Sequence, residues 1–113
     1  MKPEIIWSKD AGDEFAEIIS YIKYNTGKIT AEKIYKRIIN EVERVSENPG
    51  GRRVSPLLKE FGIPYIHQLN INPWIIYYKT SENKMEIISI IDGRRNLEEI
   101  LYKKMIDGKL ISN

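Results

Sequence analysis

The residues of this 113-residue chain best suited to chemistry are basic, and they come in pairs. Arg94 and Arg95 follow Asp92-Gly93 at the end of an apolar run, with Lys103 and Lys104 close behind. A guanidinium is a planar fork of donors that grips a phosphate or carboxylate at two points. The doublet therefore reads as an anion site if one arginine faces a concave surface. It reads equally as solubilising polarity between a strand and a helix, and Asp92 is near enough in sequence to tie one arginine down. A second doublet, Arg52 and Arg53, follows Gly50-Gly51, with Lys59 further on. His67 is the only histidine. Its ordinary pKa suits a general acid or base, but its phase with Tyr65, Leu69 and Ile71 also suits a half-buried packing residue. Tyr102 could act as a phenol acid, an anchor or a core side chain. Trp74, Tyr77 and Tyr78 could stack on bases, although their neighbours Ile75 and Ile76 favour a core strand.

Other chemistries find no support. Gly50-Gly51 fits no phosphate-loop pattern, and neither a nucleophile–base pair nor paired carboxylates stand out. With no cysteine and one histidine, neither a metal centre nor a cofactor is expected.

The elements that must position these residues follow from periodicity. Residues 85–91 read as a strand, apolar on most of both faces and rich in β-branched side chains. Asp92-Gly93 ends it, and Asn96, with Glu99 three residues on, caps a helix that carries Leu97, Ile100, Leu101 and Met105. A short strand is expected at Glu4–Trp7, followed by a helix capped by Ser8. Phe15, Ile18, Ile19 and Ile22 form its core stripe, which Tyr21 and Tyr24 could widen. Asn25-Thr26-Gly27 ends that helix. A second, capped by Thr30, runs along Ala31, Ile34, Tyr35, Ile38, Val42 and Val45 to a stop at Asn48-Pro49-Gly50-Gly51. The short connection predicts an antiparallel hairpin. Residues 52–62 read as irregular and basic. Strands are expected at 63–71 and 74–80, forming an antiparallel meander with the 85–91 strand. The economical packing of these elements is an α+β domain with its helices massed on one face of a small sheet.

The length predicts one domain over residues 1–113. The net charge is only +2, too small to require a nucleic-acid partner, so any basic patch is local. No membrane span or signal peptide is visible, and a cytoplasmic location is expected.

The order of elements, the Asn48-Pro49-Gly50 stop, Arg53-Val54, Leu69, the run 73–78 (PWIIYY) and the run 90–101 (IIDGRRNLEEIL) together resemble the RelE/ParE superfamily, the toxins of type II toxin–antitoxin systems. The similarity extends from Ile5 to Met105. It implies a small curved antiparallel sheet, an N-terminal helical hairpin packed on it and a C-terminal helix. It also implies growth inhibition neutralised by a cognate antitoxin, commonly acidic or partly disordered, with a homodimer or a hetero-oligomer with antitoxin as the assembly. RelE-like members cut mRNA on the ribosome, which requires a base for the ribose 2′-hydroxyl, charge stabilisation at phosphate and a proton for the leaving oxygen. ParE-like members inhibit DNA gyrase without that set.

Here Trp74 is followed by Ile75, where many nucleases carry arginine. Asp92 stands where many carry histidine, and a carboxylate there would repel phosphate. His67 falls where many carry arginine. These departures favour ParE-like inhibition of gyrase through exposed surface that includes the C-terminal region. The alternative is a metal-independent mRNA endonuclease using Arg53, His67, Arg94 and Tyr102, with ribosome and mRNA as partners. A further alternative is an inactive homologue that only binds antitoxin. Surface for target or nucleic acid is expected at Arg52, Arg53, Lys59, Arg94, Arg95, Lys103 and Lys104.

Overall fold

The computed structural model describes residues 2–111. Strand β1 (Glu4–Trp7) leads into helices α1 (Lys9–Thr26) and α2 (Lys28–Val45), followed by the 3-10 turn Pro49–Gly51 and a short helix α3 (Pro56–Glu60). Strands β2 (His67–Ile71), β3 (Trp74–Ser81) and β4 (Lys84–Asp92) come next, and α4 (Leu97–Ile106) closes the series. The sheet order is β1-β4-β3-β2. The three later strands form the expected antiparallel meander, while β1 lies parallel to β4, so the sheet is mixed.

Local chemistry explains most boundaries. Ser8 Oγ accepts from the Ala11 amide, satisfying one of the donors that a helix start leaves unpaired. Gly27, at φ +100°, is both the end of α1 and the entry to α2. The second helix therefore starts at Lys28, ahead of the expected Thr30 cap, because a glycine in that conformation turns the chain back without needing a side-chain cap. Ser55 caps α3 through the Leu58 amide, with Pro56 in the first turn, so part of the segment expected to be irregular is helical. The expected strand at 63–71 is shortened at its start. Ile63 and Ile66 are buried, but the chain around Pro64 and Tyr65 turns instead of extending.

The helices do not mass on one face. Alternate residues of β3 enter two separate cores. Trp74, Ile76 and Tyr78 join Phe15, Ile38, Val42 and Val45 beneath the α1–α2 hairpin. Tyr77 joins Leu58, Ile63, Ile66, Leu101 and Leu110 beneath α3, α4 and the chain that follows. This explains why β4 is apolar on both faces. A register shift lets it serve both cores: Tyr77 opposes Ser89 and Tyr78 opposes Ile87, so Ile88 has no opposite residue. Such bulges re-aim side chains, and Ile87 and Ile88 enter different cores.

Candidate interaction surfaces

Three basic regions are built, and they differ in what their cations touch. The first lies along β2 at the sheet edge. Val54 bridges His67, the Ser55 amide donates to the Ile66 carbonyl (2.7 Å), and the Gln68 amide donates to the Arg53 carbonyl (3.1 Å). Arg52 and Arg53 are thereby pinned beside His67. The His67 Nδ1 lies 2.8 Å from the Arg52 carbonyl, which can only accept, so Nδ1 carries the proton and Nε2 is the acceptor of the neutral ring. The ring stacks on Tyr78 with centroids 5.2 Å apart. The Tyr78 hydroxyl donates to the Pro49 carbonyl (2.6 Å), fastening the loop before the doublet to the core. Burial pushes the Tyr78 phenol up to about 12, opposed by the nearby positive charge of Arg52, and burial pushes Tyr77 to about 12 as well. Neither phenol is an acid near neutral pH.

The second region is the end of β4. Gly93 is favoured there by close approach, since an added Cβ would lie 3.1 Å from both Ile75 Cδ1 and the Pro73 carbonyl. The turn that follows folds Arg94 back on Asp92, with Nε and Nη2 reaching the two carboxylate oxygens at 3.0 and 2.6 Å. The hydrogen bond from Arg94 holds the Asp92 carboxyl at about 2, against a smaller upward push from burial. Arg95 is exposed, and no ion pair involves it among the described residues. A groove of about 480 Å³ runs beside them between α1 and the sheet, floored by Ile18, Ile22, Trp74 and Ile90. Arg94, Arg95, Glu14 and Glu17 stand around it, and Tyr21 forms a lip. Tyr21 and Tyr24 do not widen the core stripe as expected; they are 70% and 90% exposed.

The third region is α4. Lys103 is exposed and pairs with Asp107 one turn on (3.4 Å), and Tyr102 meets Phe61 edge-on. Lys59 is exposed on α3. Lys104 corrects the surface expectation: its side chain is 11% exposed and its ammonium is held by Asp10 and by Glu14 (2.7 Å). Burial pulls the Lys104 ammonium down, but the bonds to Asp10 and Glu14 outweigh it and hold its pKa above the ordinary lysine value. Burial raises the Asp10 carboxyl, and Lys104 and Lys109 more than reverse this. Glu14 also accepts from Ser89 Oγ (2.8 Å) and the Ile90 amide (3.1 Å). Because β1 ends opposite Ile87, that carboxylate takes the place of a strand partner beyond it. The periodicity of α1 marks Asp10 and Glu14 only as polar positions, so sequence reasoning missed this cluster.

The four side chains of the implied nuclease set are not gathered. His67 opposes Tyr78, whereas Asp92 opposes Trp74, four residues along β3 and on its other side. That separates the His67 and Asp92 backbones by roughly 13 Å along the strands and roughly 10 Å across them. Tyr102 belongs to α4, beside Phe61.

These features occur in a known framework. A solved structure described as a chromosomal ParDE toxin–antitoxin system from P. aeruginosa aligns with a TM-score of 0.66 at 18% identity, covering 80% of this chain and 96% of that one. At that identity the likeness establishes the shared fold. No curated protein matches the sequence. A family model described as the ParE toxin of the type II toxin–antitoxin system parDE matches residues 5–97, from β1 to the first residue of α4. With most of its length matched and the two-helix, mixed-sheet fold in place, the chain belongs to the ParE toxin family of type II toxin–antitoxin systems.

Proposed function

We propose that this chain is a cytoplasmic growth inhibitor that acts on DNA gyrase by binding, without cutting RNA, and that a cognate antitoxin neutralises it. The observation that carries the reading is the closed Asp92–Arg94 pair at the end of β4. A phosphoryl transition state needs donors that are free to receive developing charge. Here the best-placed guanidinium is already engaged, and a carboxylate sits where it would repel phosphate. The remaining polar groups are spread over both ends of the sheet. Arg95, Arg52, Arg53 and Lys59 remain available as target-binding cations, joined by Lys103 where a target displaces Asp107, and the groove beside Trp74 offers an antitoxin an apolar floor with charges of both signs around it.

One feature favours the nuclease alternative: the Nε2 of His67 is an oriented acceptor beside two arginines. A single comparison separates the readings. Added to purified gyrase, the chain should lower supercoiling or accumulate cleaved DNA, and reporter mRNA should stay intact by primer extension after induction without antitoxin. Codon-registered cuts that vanish in Arg53→Ala or His67→Ala would overturn the proposal in favour of mRNA cleavage. Intact mRNA, unaffected gyrase and normal growth would leave a homologue that only binds antitoxin. Truncation after Lys103 is a poor probe of the C-terminal region, because it removes Lys104 and the buried Leu110 together.

A further inference from the structure

On the side of the sheet away from the α1–α2 hairpin, α3 and α4 share one core, into which each sends a fully buried leucine, Leu58 and Leu101. Between Phe61, which ends α3, and the first turns of α4 lies a hollow of about 510 Å³. Phe61 and Tyr102 form its aromatic wall, with ring centroids 5.8 Å apart and planes 75° from parallel. Phe61 packs on the core, whereas Tyr102 is half exposed. The wall is therefore anchored at one end and open to solvent at the other.

The rest of the lining is Asn96, Glu98 and Glu99. Asn96 Oδ1 accepts from the Glu99 amide (3.2 Å), and the Asn96 side-chain amide donates to Glu99 Oε2 (3.3 Å). This reciprocal cap fixes one carboxylate beside the rings. Glu98 has no hydrogen bond or ion pair among the described residues. Lys103, one turn on from Glu99, pairs with Asp107 instead. No cation lines the hollow. Carboxylates in a first helical turn ordinarily answer the helix dipole, whose positive end amounts to roughly half an elementary charge. Two carboxylates exceed that and leave the hollow negative.

We propose that this hollow docks an arginine side chain presented by a basic surface of a partner protein. Aromatic rings attract a cation over their faces, arginine more often than lysine. Carboxylates grip the same guanidinium through its paired N–H donors. Rings and carboxylates stand together here, a combination that would repel a phosphate and leave a purely apolar side chain beside two unpaired charges. The exposed cations Arg53 and Arg95 suit partners of the opposite sign, so the hollow selects differently from the basic regions. The partner need not be gyrase, and the proposal survives a failure of the gyrase reading.

The test uses the whole chain at low ionic strength, with blocked glycine–serine pentapeptides that carry arginine or lysine at the centre. In two-dimensional NMR spectra the arginine peptide should shift the ring signals of Phe61 and Tyr102. Glu98→Gln/Glu99→Gln, which keeps a capping side chain opposite Asn96, should weaken binding about tenfold. Tyr102→Leu should weaken it roughly threefold, whereas Tyr102→Phe keeps the ring and should bind near wild type. Circular dichroism would verify that each variant folds. The proposal is overturned if those ring signals do not move, or if neutralising both carboxylates leaves the affinity unchanged. It is overturned as well if the lysine peptide or spermidine binds as tightly, since a point charge would then suffice. Self-association of the chain alone that Glu98→Gln/Glu99→Gln abolishes would also overturn it, because the occupant would then be a second copy.

Discussion

Lys104 and Arg94 both sit beside an aspartate, yet one pair lies inside the protein and the other on its surface. Lys104 comes from α4 on one side of the sheet and reaches Asp10 and Glu14 of α1, past the open edge of β4. Arg94 comes from a surface turn, 76% exposed, and folds onto a carboxylate two residues back. The first contact joins segments 94 residues apart and ties together the two layers that enclose the sheet. The second closes a local loop. Burial thus decides whether an ion pair acts on the fold or only on the availability of a charge.

The largest effect should come from breaking the interior pair. Lys104→Ala removes the ammonium that two partly buried carboxylates share. Asp10 keeps Lys109 (3.5 Å) and Glu14 keeps Ser89 and the Ile90 amide. The cost should therefore fall below the roughly 3–5 kcal/mol of a fully buried pair that loses one partner. Urea unfolding would measure this as a fall in midpoint with little change in slope. The comparison sharpens with Asp10→Asn/Glu14→Gln/Lys104→Met, which removes the charges together and should recover much of the loss. If the single variant were as stable as wild type, the seam would be no stronger than the surface pair.

A smaller effect is expected at Tyr78, whose hydroxyl anchors Pro49. Tyr78→Phe should cost about 1 kcal/mol, the usual net value of a hydrogen bond. Its pH signature is distinctive. A phenol held at about 12 in the folded chain is protonated there while the unfolded chain ionises from about 10 upward. Its contribution is therefore complete below pH 10 and lost as pH rises toward 12. Tyr77 contributes in the same window. Tyr78→Phe should remove part of the alkaline decline, as read from urea midpoints across that range.

How much of this could be read in the sequence depended on the distance between partners. The stripe Phe15-Ile18-Ile19-Ile22, the Asn96 cap and the β3–β4 meander are local patterns, and they appear as expected. The parallel pairing of β1 with β4 is not local, and Ile5-Ile6-Trp7 carries no sign of its neighbour. The pattern at 85–91 showed that β4 is covered on both faces, but what covers the second face was hidden in α3, a five-residue helix too short to show a period. The same limit governed the candidate sites. Asp92 beside Arg94 is legible as a pair because a single residue, Gly93, separates them. Lys103 and Lys104 looked alike, and only the fold distinguishes them, since the partners of Lys104 lie in the first turns of α1.

The smallest expected stability effect belongs to Arg94, and it is informative for that reason. Arg94→Ala removes an exposed, solvent-screened partner, so the urea midpoint at neutral pH should fall only slightly. The Asp92 carboxyl should nevertheless climb from about 2 toward its ordinary value near 3.8, a change that a carboxyl NMR titration would resolve. The sign follows from linkage. A depressed carboxyl contributes stability above its unfolded pKa, and the contribution is lost as pH falls through the folded value, so the small advantage of the wild-type chain should vanish between about pH 4 and 2. An unmoved Asp92 would mean that the guanidinium is not held by its neighbour, and Arg94 would then be free to meet a phosphate. The titration therefore tests the main support for a binding toxin at the one contact that carries it.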